Sequence, residues 1–470
     1  MRVLSKLPGL LLSTLAPAAV VTFALAGCSD SDDPDTPADA AADSAPDAAV
    51  DSAPDAAADS PSADGATEDS AVEDSAVEDA AVDGDSPDGE AGPPPPAELS
   101  SVVFSGSNWA DSFMLRVFDV KNNLASDNFT SVAQDSVASA SAGRLFVLER
   151  PSGENKVHIM HSDTPWKVQH TIAKLSDDKL PNPYQVVMVS ADKAYVIMYG
   201  VNNLLTFNPS DPGKLGSVDL SAYIIKADGD NKVEPTAAVF DAKSKRLYVL
   251  LQRTSMPPAW SGTNEGGTWA FICHDDVAPL VVGIDTTTDK IVDINGAADG
   301  DAMELKGFNP MTIQWDYAKK NLVVVHSGCA PKGAKRTRIR RGLELVNVAT
   351  AETSWALELP KDNAAQSLSN YVALSETQGA VKLDNGAGVA TWHKADLTEK
   401  KLDKAVWNLP TAFVVETPGH LLGLSTKDDK DTGWDVVRYD LEKNSATEVL
   451  ADVLPTDKVN NATVTVSTLK

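Results

Sequence analysis

The stretch Asn182-Pro183-Tyr184-Gln185-Val186-Val187-Met188-Val189-Ser190-Ala191-Asp192-Lys193-Ala194-Tyr195-Val196-Ile197 decides the fold. Pro183 suits the first position of a strand, where no ladder N–H is lost. An apolar, β-branched run follows it, then a polar turn, then a second apolar run around Tyr195. Further on, Asn202-Asn203 opens a third run with Leu205 and Phe207, and Gly216 precedes a fourth with Val218 and Leu220. Short runs of this kind, bounded by turn residues, read as strands. Residues 182–220 therefore hold one four-stranded unit.

The start of that unit recurs as Glu234-Pro235-Thr236-Ala237-Ala238, Asn309-Pro310-Met311-Thr312-Ile313, Leu409-Pro410-Thr411-Ala412-Phe413 and Leu454-Pro455-Thr456. Copies without proline begin near Gln134 and Ser369. Six copies carry an apolar second-strand residue 12 or 13 positions on: Phe146, Tyr195, Tyr248, Val323, Val381 and Leu422. Four strands repeating every 40–50 residues or so make a propeller blade. The expected fold is all-β, a seven-bladed β-propeller of four-stranded blades over residues 99–470. Residues 101–106 and 113–128 supply strands with no first strand before them, and residues 455–467 supply one or two at the far end. Pairing the two ends closes the ring and leaves no free sheet edge. Two stacked β-sandwiches are the competing architecture, which the regular spacing fits less well.

The 182–220 unit resembles the repeat of the YVTN family of seven-bladed propellers of extracytoplasmic bacterial proteins. The resemblance extends over residues 99–470. It implies the fold and leaves function open, because propellers host many unrelated activities. Relatives of the fold include lactonases and quinoprotein dehydrogenases. A metal-dependent hydrolase or a quinoprotein-like oxidoreductase is thus the alternative to a binding protein, although their central site residues have no residue-by-residue match here.

Charge is distributed unevenly. The 470 residues carry a net charge of −27, yet residues 29–98 hold 22 acidic side chains, no Lys or Arg and no aromatic residue. The remaining body, 99–470, has 38 basic and 45 acidic residues, which excludes a nucleic-acid binder driven by overall charge. Four Val are the only large apolar residues of 29–98, too few to offset the entropy of folding. This Ala/Asp/Ser/Pro segment is expected to be a disordered tether. Ahead of it, Arg2 and Lys6 precede an apolar stretch from Leu7 to Ala26, the pattern of a secretory signal. The ending Leu25-Ala26-Gly27-Cys28 resembles the lipobox of bacterial lipoproteins. That resemblance implies a signal peptide over residues 1–27, a palmitate-bearing Cys28, and attachment to a membrane through lipid on Cys28. Ser29 in place of the Asp retention signal favours the outer membrane of a Gram-negative cell. An uncleaved membrane anchor is the alternative reading.

Two insertions, Arg253–Asp276 and Ser327–Arg341, lengthen second-to-third loops in neighbouring blades. Long loops on a rigid frame are where function concentrates. Each holds one cysteine, Cys273 and Cys329, which in an oxidising compartment reads as a disulfide. Zinc is the alternative, since His274 and His326 lie close by in sequence, but adjacent Cys-His is poor chelate spacing. Lys332, Lys335, Arg336, Arg338, Arg340 and Arg341 form a basic run that suits an anionic glycan, lipopolysaccharide or a phosphate group, or stands as a solvated edge, or meets the acidic tether. Trp260 and Trp269 in a Gly-rich loop suit stacking on a sugar or flat small-molecule ligand, or cover the core. Tyr184 joins them on the same face. Asp428, Asp429, Asp431 and Asp435 read as a polar turn before a calcium loop. No nucleophile elbow, His-x-x-x-His pair or phosphate loop occurs, so no catalytic residue, metal site or cofactor is assigned. A monomer is expected.

Overall fold

The structure, a computed structural model, describes residues 99–470 apart from 108–112, 132–134, 151–154, 226–230, 255–271, 274–276, 297–300, 332–339, 361–366, 385–389, 427–432, 456–464 and the single positions Lys179, Cys329 and Lys470. The expected signal, Cys28 and the expected tether lie outside the described residues.

The described chain is β-structure with one short 3₁₀ turn at Ser221–Tyr223. Blade 1 takes β1 (Ser101–Ser107), β2 (Phe113–Asp119) and a split outer strand, β3 (Leu124–Ala125) with β4 (Phe129–Ser131). Blade 2 is β5 (Ser136–Ser141), β6 (Arg144–Glu149), β7 (Lys156–Met160) and β8 (Val168–Ile172). Blade 3 is β9 (Pro183–Ser190), β10 (Lys193–Met198), β11 (Asn203–Asn208) and β12 (Asp211–Asp219). Blade 4 begins with β13 (Pro235–Asp241) and β14 (Arg246–Leu251). Its insertion holds β15 (Ile272–Cys273), after which β16 (Leu280–Asp285), β17 (Lys290–Val292) and β18 (Met303–Glu304) complete it. Blade 5 has β19 (Pro310–Trp315) and β20 (Leu322–His326), then β21 (Ala330–Pro331) in its insertion, then β22 (Gly342–Asn347) and β23 (Glu352–Glu358). Blade 6 is β24 (Ser367–Ala373), β25 (Gln378–Asp384), β26 (Ala390–Asp396) and β27 (Lys401–Leu402). Blade 7 is β28 (Ala412–Thr417), β29 (His420–Ser425), β30 (Gly433–Asp440) and β31 (Ser445–Pro455). The last strand, β32 (Thr465–Thr468), pairs antiparallel with β1 from Ser105↔Thr465 to Val102↔Thr468. It supplies the missing first strand of blade 1.

The core settles ring against sandwich. Seven hydrophobic clusters are found among the described residues, and each lies between two consecutive blades. The second strands β6, β14 and β20 read as apolar runs because both of their faces are buried. In β6, Phe146 and Leu148 pack toward blade 3, while Leu145 and Val147 pack toward blade 1. The cluster between blades 7 and 1 joins Phe104 and Phe118 to Trp434 and Leu454, so the ring is closed by packing as well as by pairing.

All six named second-strand residues fall in second strands. One repeat start is corrected. Pro455 ends the outer strand β31, opposite Gly433, rather than opening the last inner strand. Leu454 before it is fully buried against blade 1, which holds that dipeptide on the blade 7 side of the seam.

A second repeat marks the opposite face. In six blades the third strand ends in Asp or Asn: Asp119, Asn208, Asp285, Asn347, Asp396 and Asp440. Each side chain accepts backbone N–H groups two or three residues on, the Asx turn that caps a hairpin. In five of them the residue four positions on has positive φ: Asn123, Asp289, Ala351, Lys400 and Asn444. The Lys443 side chain and the N–H groups of the turn hold Asp440 down to about 2.

Candidate functional site: a polar chain beneath two joined insertions

First strands start, second strands end and the two insertions leave on one face. There, four consecutive blades repeat one backbone bond. The residue leaving the second strand donates to the carbonyl of the residue that leads into the first: Arg150 to Asp135 at 2.9 Å, Tyr199 to Asn182 at 3.0 Å, Gln252 to Glu234 at 3.1 Å and Ser327 to Asn309 at 3.1 Å. Asn182, Glu234 and Asn309 all have positive φ, each just before proline. Asn accepts that conformation more readily than Glu.

Side chains carry the link from blade to blade. Arg150 pairs with Asp135 and lies over the Tyr184 ring at 5.0 Å. Tyr184 meets Tyr199 ring to ring at 5.7 Å. The Tyr199 hydroxyl donates to Gln252 Oε1 at 2.8 Å, and Gln252 Nε2 donates to Asn309 Oδ1. Asn309 Nδ2 donates to Ser327 Oγ at 2.6 Å. Beside this chain, buried Glu234 accepts the N–H of Thr254 at 2.6 Å. Gln252, Glu234, Thr254 and Asn309 are all buried, so their polar atoms are committed to one another. Burial pushes the Tyr184 hydroxyl up to about 12, outweighing the nearby Arg150 charge, so it stays protonated at neutral pH. The chain is a rigid polar rim, suited to fixing the roots of the insertions.

The insertions themselves meet. β15 of blade 4 pairs in parallel with β21 of blade 5, Ile272 opposite Ala330 and Cys273 opposite Pro331. Blades 4 and 5 thus share a small second sheet outside the ring.

Under the blade 5 insertion, the last residue of β20, His326, faces Glu344 of β22. Both side chains are 0% exposed, with Nε2 and Oε2 2.9 Å apart. Neither ring nitrogen makes an aligned hydrogen bond among the described residues, so the two side chains meet by proximity. Glu344 also accepts the N–H groups of Lys306 at 2.9 Å and Gly307 at 3.0 Å. Burial alone would raise the Glu344 carboxyl. The His326 contact and those two N–H groups outweigh it and hold the carboxyl below its ordinary range. A Cβ at Gly307 would stand 2.2 Å from His326 Cγ, so only glycine lets the chain pass over the ring.

Of the residues singled out from sequence, Tyr184 is half-buried within the polar chain. Arg340 is exposed, its guanidinium 4.7 Å from the Phe308 ring centre. Arg341 is corrected: it is 1% exposed and donates to the Pro360 carbonyl at 2.9 Å, so it supports β22 rather than a surface cluster. Asp435 is buried and accepts the N–H of Asp452 at 2.9 Å. Trp260, Trp269, Cys329, Lys335, Arg336 and Arg338, with Asp428, Asp429 and Asp431, lie outside the described residues, as does the side chain of Cys273. Among the described residues no three His, Cys, Asp or Glu side chains gather closely enough to hold a metal ion. Sequence reading missed Gln252, Tyr199 and Glu234; their one signal is position, directly after a second strand or before a blade-opening proline.

On the opposite face a cleft of about 420 Å³ lies at the seam between blades 7 and 1, lined by Asn123, His420, Arg438, Asp440, Thr447 and Glu448 among others. Arg438 spans the seam, holding Glu416 with Nε and the Val120 carbonyl with Nη2 at 3.1 Å.

No protein-family model matches the chain, and no curated protein matches it. Solved structures do. A Bacteroides uniformis protein assigned as a 6-phosphogluconolactonase is 9% identical, covering 79% of this chain and 99% of its own, with TM-score 0.47. TolB from Acinetobacter baumannii is 9% identical over 78% of this chain and 82% of its own, with TM-score 0.36. The Cps50 (Swd1) β-propeller domain of Myceliophteria thermophila is 11% identical over 75% of this chain and 97% of its own, with TM-score 0.42. These are likenesses of fold alone. The seven-bladed assignment rests on strand pairing and on the seven inter-blade cores.

Proposed function

We propose that the protein is an extracytoplasmic lipoprotein whose propeller, carried on a tether from lipidated Cys28, captures a ligand non-catalytically through the insertion-bearing face. The observation that carries this reading is the β15–β21 pairing, which joins the insertions of two neighbouring blades, while bonded polar side chains hold the second-strand ends from which they leave. A disulfide between Cys273 and Cys329 would pin the same two loops. The basic residues Lys335, Arg336, Arg338 and Arg340 suit an anionic glycan, lipopolysaccharide or another anionic ligand, and Trp260 and Trp269 suit a flat or sugar-like one. Seventy residues of like-charged tether give the body a flexible reach of about 46 Å, which enlarges the volume a capture protein samples.

The test is a binding screen of anionic glycans, lipopolysaccharide and metabolites against the full protein. The same screen is run with Arg336, Arg338 and Arg340 changed to Ser, and with Trp260→Ala and Trp269→Ala. Binding that weakens at least tenfold in either set supports the reading. Binding indifferent to both sets removes the insertion-bearing face as the site.

A further inference from the structure

Blade 2 carries an arrangement that the capture reading does not use. Glu149 is the last residue of β6, His158 lies in β7, and Thr171 lies in β8. The register pairs Glu149 with Lys156 and His158 with Thr171, so all four side chains share one face of the blade. Glu149 Oε1 stands 2.9 Å from His158 Nε2, and His158 Nδ1 stands 3.0 Å from Thr171 Oγ1. Burial falls along the series: Glu149 is 7% exposed, His158 is intermediate, and Thr171 is open to solvent. Lys156 Nζ lies 3.8 Å from the second carboxylate oxygen of Glu149. From blade 1, the Phe129 ring covers the imidazole at 6.3 Å.

Hydrogen-bond chemistry defines the tautomer a relay needs. A carboxylate accepts only, so the Glu149 contact places a hydrogen on His158 Nε2, and in the neutral ring Nδ1 is then the base facing the threonine hydroxyl. An acid that orients an imidazole, an imidazole that accepts from a hydroxyl, and an exposed hydroxyl are the three roles of a nucleophile relay, recognised by geometry rather than fold. We propose that Glu149, His158 and Thr171 form an acid–base–nucleophile relay at which Thr171 accepts acyl or phosphonyl groups from activated esters. Thr171 Oγ1 attacks the carbonyl carbon of an aryl ester, its proton passes to His158 Nδ1, and the C–O bond to the leaving phenolate breaks. Water then cleaves the acyl-threonine, releasing the carboxylic acid and regenerating the hydroxyl. Glu149 positions the imidazole and stabilises the imidazolium formed in each half. With an alkyl fluorophosphonate the new bond is O–P, fluoride departs, and the adduct persists.

The full protein is treated with an alkyl fluorophosphonate, and the adduct is located by peptide mass spectrometry. Release of 4-nitrophenolate from 4-nitrophenyl acetate is followed in parallel. A single adduct on the Thr171 peptide is expected, lost in Thr171→Val and kept in Thr171→Ser. His158→Gln should slow labelling roughly a hundredfold, the scale of general-base assistance. Glu149→Gln should slow it less than His158→Gln. Melting temperatures confirm that each variant is folded, and Thr171→Ser guards against loss through misfolding. No adduct on the parent protein, an adduct elsewhere, or undiminished labelling in His158→Gln each overturns the proposal and leaves the three residues as a cross-strand polar stack.

Discussion

Consider replacing His326 by leucine. The imidazole is fully buried, 2.9 Å from a fully buried Glu344 carboxylate, and it stands edge to face with Trp355 at 5.7 Å. Leucine fills most of the space but leaves the carboxylate with two backbone donors and without the imidazole. Removing one partner of a buried polar contact costs about 1–3 kcal/mol, more when the group left behind is charged, which places this case near about 3 kcal/mol. Glu344→Gln keeps an oxygen for those two N–H groups and buries no charge, so about 1–2 kcal/mol is expected. In the double variant the neutral amide has lost its need for the imidazole. Its cost should fall below the sum of the singles by about 1–2 kcal/mol. Urea unfolding of the four proteins gives the cycle, provided the denaturant slope is unchanged. If the two effects add within about 0.5 kcal/mol, the pair is not coupled and the account of the blade 5 insertion root is wrong.

Leu469→Ala should destabilise by about 2–3 kcal/mol, because Leu469 is buried against Val103, Phe113 and Leu145, whereas Val168→Ala on exposed β8 should change little; urea midpoints compare them. Ser105→Cys with Thr465→Cys should form a disulfide on a non-reducing gel, since the two hydroxyls lie 2.8 Å apart, and its absence would count against ring closure. Asp440 has a depressed value of about 2 against an ordinary 3.8, so its stabilising contribution is present above the ordinary value and lost as pH falls through about 2; Asp440→Asn should therefore flatten the acid limb of stability over that window. Palmitate labelling should mark the protein and vanish in Cys28→Ala; a labelled variant would end the lipoprotein reading.

Most of the ring was legible from sequence, and the reason is physical. Second strands bury both faces, so Leu145–Leu148 and Leu322–Val325 appear as unbroken apolar runs at a steady distance from each blade start. A proline that needs no ladder partner marks the starts at 183, 235 and 310. The same cue failed at Pro455, because a proline that ends an outer strand looks identical to one that opens an inner strand. The Asx turns went unread although six blades carry them, since Asp and Asn are common in any turn and only register shows that these sit at one place. The polar chain could not be read at all. Tyr199, Gln252 and Ser327 share a position but no residue type, and each acts through a partner about 50–60 residues away or on another strand of its own blade. Arg341 illustrates the converse: a charge in a basic run reads as surface until its guanidinium is found beneath Pro360.

The contact between Ser105 and Thr465 joins positions 360 apart in the chain. A chain delivered N-terminus first brings residues 465–468 to the fold after every other strand. Until they arrive, the earliest blade has the backbone row Val102–Ser105 unanswered. Residues 465–468 of a neighbouring copy carry the same strand, so local crowding sets self-closure against strand exchange between copies. The first blade begun is the last one finished.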